Sequence, residues 1–323
     1  MTKPPKIVVT RAIAEPAMKV LHEAGEVWAP DPDRKLPPGE LHEVVAGADG
    51  VVSTLQDRID GAFADAAGAN LRVVSTVAVG YDNVDLPALG AREVILTNTP
   101  GVLTDATADL TFGLLLAVTR RLGAGERLLR ARRPWEFNLG FMLGTGLQGK
   151  SLGIVGLGQI GTAVARRARA FGMRIHYTGR GRAAPELEAE LDARFLSMES
   201  LLGTADMVSL HCPLTPRTRH LIDAGALAAM KPGAFLVNTT RGPVVDERAL
   251  ADALEGGVIA GAALDVFERE PEVEPRLLEL DNVALAPHLG SATVETRTEM
   301  ALLAARNVAS VLAGNGPLTE VRP

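Results

Sequence analysis

The feature that most constrains this chain is a six-residue run, Gly156-Leu-Gly-Gln-Ile-Gly161. An apolar segment, Leu152-Gly-Ile-Val155, precedes it, and a run of helix formers, Ala163–Ala170, follows. The spacing G-x-G-x-x-G means little alone in a chain with 33 glycines. Between a strand and a helix it signals dinucleotide binding. The first glycine permits the tight turn, the second lets a pyrophosphate approach the backbone, and the third lets helix and strand pack closely. Free N–H groups at the helix start then face the phosphates. Gly156, Gly158, Gln159, Ile160 and Gly161 are therefore the predicted phosphate-binding set.

Around this motif the chain alternates short β-branched runs with helical stretches. Strands are predicted at Lys6–Thr10, Gly50–Thr54, Leu71–Ser75 and Val94–Thr97, with a helix at Glu15–Ala24. Asn98-Thr-Pro-Gly101 interrupts the pattern. One long apolar helix is expected from Thr104 to about Arg130, then a poorly periodic loop, Arg132 to Gly149. A second series opens at Ser151–Val155. It continues through Arg174–Tyr177, Met207–His211, Ala234–Asn238, Ala260–Ala263 and Val283–Leu285, and ends in a helix over Ser291–Leu312. Strands of this length alternating with helices predict βαβ units and parallel sheets. The fold class is thus α/β, with two Rossmann-like domains.

Composition removes several other classes. At ~150 residues per domain the length allows about two domains. The net charge of −6 disfavours nucleic acid as a partner. Cys212 is the one cysteine, so neither an internal disulfide nor a cysteine-rich zinc site is available, and no metal is expected. The longest apolar stretch is far short of the ~20 residues a membrane span needs. No signal-peptide core follows the N-terminus, so a cytoplasmic protein with no membrane partner is expected.

The choice of dinucleotide can be argued from the next strand. An acid about 18 residues after the third glycine ordinarily holds the ribose 2′-OH of NAD. Here that strand ends Tyr177-Thr-Gly-Arg-Gly-Arg182, with no carboxylate. Arginine forks bind a 2′-phosphate. Arg180 and Arg182 therefore predict NADP(H), with NAD(H) at lower affinity. Three later segments place polar groups just past predicted strands: Arg241, Glu270 and His288. Ligands of parallel sheets bind beyond the carboxyl ends of strands. A His, a Glu and an Arg at three such ends make a candidate acid–base set.

These segments, with Val79-Gly-Tyr-Asp-Asn-Val-Asp85, His211-Cys-Pro-Leu-Thr215, Asn238-Thr-Thr-Arg-Gly242, Leu264-Asp-Val-Phe267 and Pro287-His-Leu-Gly290, resemble the D-isomer-specific 2-hydroxyacid dehydrogenase family over nearly the full length. The resemblance implies that His288, Glu270 and Arg241 are catalytic. It implies a discontinuous substrate domain, residues 1–101 and 290–323, and a cofactor domain, 102–289, with the site in the cleft between them. It implies substrate contacts from Val79, Gly80 and Arg241. Further cofactor contacts are implied for Thr107, Pro213, Thr218, Thr239, Asp265 and Gly290.

Within the family, the Tyr-Thr-Gly-Arg segment and the 132–149 loop are most similar to glyoxylate/hydroxypyruvate reductases. The resemblance then implies reduction of small 2-oxo acids by NADPH in a homodimer. In that group an aromatic residue of the loop reaches the neighbouring subunit's site, and Phe141 stands where a Trp is usual. The loop Thr76-Val-Ala-Val-Gly80 lacks the basic residue of phosphoglycerate-acting relatives, and Glu270 departs from the glutamine of formate-oxidising ones. Other 2-hydroxyacid dehydrogenases of the phosphoglycerate or D-lactate type, a phosphite-oxidising enzyme and a dinucleotide-sensing binding protein remain as alternatives.

Overall fold

The computed structural model describes residues 3–322, which form two compact units. The first comprises residues 3–103 and 291–322, and the second Thr104–Gly290. The first unit holds a five-stranded sheet: β1 (Lys6–Val9), β2 (Glu26–Trp28), β3 (Gly50–Ser53), β4 (Val73–Thr76) and β5 (Ile95–Thr97), in the order β2-β1-β3-β4-β5. The second holds seven strands: β6 (Ser151–Val155), β7 (Arg174–Thr178), β8 (Ala193–Phe195), β9 (Met207–Leu210), β10 (Phe235–Asn238), β11 (Gly261–Leu264) and β12 (Val283–Leu285). Their order is β12-β11-β10-β9-β6-β7-β8. Every strand pairing is parallel. Such strands are covered on both faces, and the central ones are buried at every position. Among the described residues no helix is long and apolar enough to cross a membrane.

The sheet order of the second unit reverses at β6. The chain runs outward through β7 and β8, then crosses to β9 on the other side. Crossovers leaving in opposite directions open a crevice at the strand ends, which is where ligands bind in such sheets. The glycine turn follows β6 and the His211-Cys-Pro segment follows β9, so both sequence motifs sit at this crevice.

The structure corrects two predicted elements. The long helix from Thr104 is broken into Thr104–Thr119 and Leu122–Arg130, with Arg121 between them at φ 56°. The Thr119 carbonyl explains the break: it accepts the Thr145 N–H of the following loop at 2.8 Å. The last helix begins at Val294 rather than Ser291, because the Thr293 hydroxyl caps it by accepting the Thr296 N–H. Two three-residue edge strands, β2 and β8, had no sequence periodicity to announce them.

The C-terminal segment returns to the first unit for a definable reason. Helix Val294–Leu312 buries Ala301, Ala304, Ala305 and Val308 against Ile7, Val9, Val52 and Val73 of the sheet. Beyond it, fully buried Asn307 holds the tail. Its Oδ1 accepts the N–H groups of Leu318 and Thr319 (2.9 and 3.0 Å), and its Nδ2 donates to Leu303 O and Thr319 Oγ1 (2.9 and 2.8 Å). All four of the amide's ordinary partners are thereby supplied. An Asn307→Leu protein should lose about 1–3 kcal/mol of unfolding free energy, because two tail N–H groups are left without an acceptor. Urea denaturation checks this; an unchanged midpoint would show that the tail contributes nothing.

Candidate active site

The site of the second unit is built at the carboxyl ends of β10, β11 and β12. Arg241 follows β10, Glu270 follows β11 and His288 follows β12. Glu270 Oε2 lies 2.8 Å from His288 Nδ1. An ionised carboxylate only accepts, so Nδ1 carries the hydrogen and Nε2 points elsewhere. The two side chains remain 30% and 28% exposed, so the pair is not sealed from solvent. Burial alone would push the Glu270 carboxyl up. The hydrogen bond from His288, the Phe267 N–H (3.0 Å) and the nearby charge of Arg241 hold it below its ordinary value.

The backbone places these groups by interlocking three turns. His288 has φ 55°, the left-handed region that non-glycine residues enter only when the surroundings compel it. Asp265 supplies the compulsion. Its carbonyl accepts the His288 N–H at 2.8 Å, and its carboxylate accepts the N–H groups of Leu289 (2.6 Å) and Gly290 (2.8 Å). Asn238 does the same for Arg241. Its Nδ2 donates to the Arg241 carbonyl at 2.9 Å, and its Oδ1 accepts the Thr240 N–H at 3.1 Å. Gly242 then lies against the Phe267–Glu268 backbone so closely that a Cβ there would fall 1.8 Å from the Phe267 carbonyl carbon. Only glycine lets the arginine turn and the glutamate loop touch.

The glycine turn fits a dinucleotide phosphate. Gly156 adopts φ 100°, and a Cβ on it would stand 2.7 Å from the His211 carbonyl oxygen. Gly158, at the N-cap of helix Gln159–Ala170, faces open space, so a Cβ would fill the very cradle a phosphate needs. No side chain caps this helix, which leaves the first-turn N–H groups of Gln159, Ile160 and Gly161 to an anion.

The other predicted contacts divide. Thr239 and Thr111 share a hydroxyl contact of 2.9 Å, and Thr107 Oγ1 donates to the Gly290 carbonyl at 3.2 Å; these lie at the His288 loop. The Thr218 hydroxyl is engaged within its own turn, donating to Pro213 O at 2.7 Å. Arg180 is exposed. Arg182 is held by the Glu188 carboxylate through Nη2 and Nε, at 2.7 and 3.2 Å. Val79 and Gly80 belong to the first unit, where the Val79 carbonyl accepts from Asn98 Nδ2 at 2.8 Å. Phe141 stacks on Trp135, with ring centroids 5.9 Å apart. Cys212 packs against the core, and burial pushes its thiol up to about 11, the behaviour of an inert hydrophobe. Sequence reasoning missed Glu188, Glu247 and Glu268, all buried or half-buried acids on or beside site loops. The signal available was a repeated Glu beside site motifs, and it read as ordinary surface charge.

Comparison with known proteins gives a consistent answer. Residues 112–290 match the family model described as D-isomer specific 2-hydroxyacid dehydrogenase, NAD binding domain. The chain is 46% identical over 320 residues to the glyoxylate reductase of Thermococcus litoralis, covering 97% of this chain and 95% of that protein. It superposes on a glyoxylate reductase from Paecilomyes thermophila with a TM-score of 0.90 at 33% identity, covering 99% of both chains. A Sinorhizobium meliloti NADPH-dependent glyoxylate/hydroxypyruvate reductase, solved with NADP and malonate, gives 0.88 at 34% identity, covering 99% of this chain and 97% of that one.

His211 yields a pH prediction. Its ring sits beside the Ser209 hydroxyl at 2.8 Å, and burial pushes it down from 6.5 to about 3. Between those values the unfolded chain takes up a proton that the folded chain refuses. Stability is therefore complete above the ordinary histidine range and declines as the pH falls through it. His211→Gln, which stays neutral, should flatten that decline. Urea unfolding of both proteins at about pH 5 and about pH 8 measures it; equal slopes would show that His211 is not responsible.

Proposed function

The chain belongs to the D-isomer specific 2-hydroxyacid dehydrogenase family, and on that footing we propose that it reduces small 2-oxo acids, glyoxylate and hydroxypyruvate, to D-2-hydroxy acids with NADPH. The observation that carries this reading is the 2.8 Å contact between His288 and Glu270 with the charge of Arg241 close by. A general acid, its orienting carboxylate and a cation for a carboxylate substrate stand together at adjacent strand ends.

The roles follow from the chemistry of each group. Gly156, Gly158 and the N–H groups of Gln159, Ile160 and Gly161 would hold the pyrophosphate. Arg180 would take the 2′-phosphate, with Arg182 contributing whatever its pairing with Glu188 leaves over. When bound, the nicotinamide supplies a hydride to the C2 carbonyl carbon. His288 Nε2 gives the proton that the carbonyl oxygen needs as it becomes an alcohol. Proton donation of this kind contributes ~10²–10⁴-fold. Glu270 fixes the Nδ1–H tautomer and stabilises the charged ring before transfer. Arg241 pairs with the substrate carboxylate, and its planar fork sets which way C2 faces. Asp265, Thr107, Thr239 and Gly290 shape the loop under the nicotinamide end, and Pro213 and Thr218 line the adenine end.

We also assign helix Leu122–Arg130 and the loop after it to a homodimer. Leu122, Leu129, Trp135, Phe137, Leu139 and Leu143 are all exposed there, Leu139 to 90%. An apolar patch of this kind marks an association surface. Phe141 would then be presented to the neighbouring subunit's substrate.

Two measurements test these proposals. Initial rates with glyoxylate, hydroxypyruvate, pyruvate and phosphohydroxypyruvate, each with NADPH and NADH, should be highest for the first two with NADPH. His288→Gln should cut kcat by ~10²–10⁴-fold, Glu270→Gln should move the pH at which reduction fades to lower values, and Arg180→Ser should weaken NADPH while sparing NADH. Preference for phosphohydroxypyruvate with NADH would sink the proposal, and activity with phosphite and NADP⁺ would replace it. Sedimentation equilibrium should give about twice the 34.0 kDa chain mass; a monomer would remove the dimer assignment.

A further inference from the structure

The reading of His288 and Glu270 as the proton-transfer pair leaves one question, and this inference rests on that reading. Glu270 sits on residues 266–274, which contain no helix or strand between β11 and helix Pro275–Glu279. A general-acid partner on an unsupported loop would lose its geometry. The support comes from Glu247, the first residue of helix Glu247–Glu255, which is only 7% exposed. Glu247 Oε1 accepts the Glu268 N–H at 2.6 Å. One buried carboxylate thus ties the segment that carries Glu270 to the start of this helix. The Glu247 N–H returns the contact to Glu268 Oε1 at 3.3 Å.

Glu268 extends the chain of contacts further. Its Oε1 lies 2.8 Å from His220 Nε2, out of line for a hydrogen bond. Asp246 Oδ2 faces the other ring nitrogen at 4.0 Å. His220 has φ 49° and ends the turn that carries Pro213 and Thr218. Its N–H donates to Pro243 O at 2.8 Å, in the turn that begins at Arg241. The Glu270 loop, the arginine turn and the adenine-side turn therefore meet at this cluster.

We propose that Glu247, through Glu268 and His220, is the positioning residue that sets Glu270 against His288 and couples that pair to the turn receiving the dinucleotide. Glu247 supplies the acceptor without which the Glu268 N–H would lose its partner, and the loop would repack to satisfy it. His220 carries the coupling, because its ring bridges a cofactor-side turn and the glutamate loop.

The test uses the full-length enzyme with glyoxylate and NADPH. It compares the parent with Glu247→Ala, Glu247→Gln, Glu247→Asp, His220→Gln and Glu270→Gln. Readouts are kcat and KM against pH, NADPH affinity by fluorescence, and Tm. Glu247→Ala should lower kcat by ~10–100-fold, the range for groups that orient catalytic ligands, and move the alkaline limb in the same direction as Glu270→Gln. Glu247→Gln, which keeps an acceptor oxygen, should recover most of the rate. Glu247→Asp, whose oxygen is withdrawn by one methylene, should fall between. His220→Gln should weaken NADPH and lower kcat together. Glu247→Ala with a lower Tm but parental kcat and limb would overturn the proposal. So would His220→Gln with parental NADPH affinity and kcat. Should Glu247→Ala fail to fold, Glu247→Asp with parental kcat and limb would overturn it as well. A parental profile in Glu270→Gln would overturn the pair itself. A shifted Glu270→Gln beside a parental Glu247→Ala overturns only the positioning.

Discussion

A carboxylate and an imidazole 2.8 Å apart, on two different loops, are the constraint that the rest of the second unit serves. Neither loop would hold that distance unaided. The His288 backbone is in a left-handed conformation that costs energy, and Asp265 offsets it with three hydrogen bonds from a single residue. The Glu270 loop is pinned beneath by Gly242 and at Glu268 by Glu247. The geometry of this pair is thus bound up with the packing of turns. A misplacement of about 1 Å in such a site costs on the order of a hundredfold in rate.

The same logic separates two arginines that look alike in sequence. Arg182 is paired with Glu188, which also takes the Tyr177 hydroxyl; that hydroxyl accepts the Ala183 N–H at 2.7 Å. These contacts fix the stretch after β7, and Arg182 contributes as a strut. Arg180 stands exposed on that fixed stretch. A charge on a rigid platform loses less freedom on meeting an anion than one on a free loop. The pairing with Glu188 also draws down the positive field near Arg182.

Much of this was legible in the sequence, for physical reasons. The glycine turn and the central strands announce themselves because burial on both faces demands apolar runs, and close backbone approach demands glycine. The strand-end positions of Arg241, Glu270 and His288 were equally readable, since parallel sheets expose only those ends. What could not be read was support from afar. Glu247 follows the helix cap Asp246 and looks like an ordinary acidic first turn complementing a helix dipole. Its role depends on a loop that begins about twenty residues later, and no local pattern encodes that. The break at Arg121 was hidden likewise, because it depends on the Thr145 N–H.

The interrupted chain order of the first unit bears on how the protein is made. Its sheet needs helix Val294–Leu312 to cover one face, and Gly50 is packed so tightly there that an added Cβ would meet Val308 at 2.9 Å. That helix leaves the ribosome only after residues 104–290 have been made. The second unit, by contrast, is one continuous stretch and can close on itself during synthesis. The five-stranded sheet must wait with an apolar face uncovered while the whole of its neighbour is translated. Nascent-chain protection, rather than the stability of the finished fold, is then the demand that this gene order places on the cell.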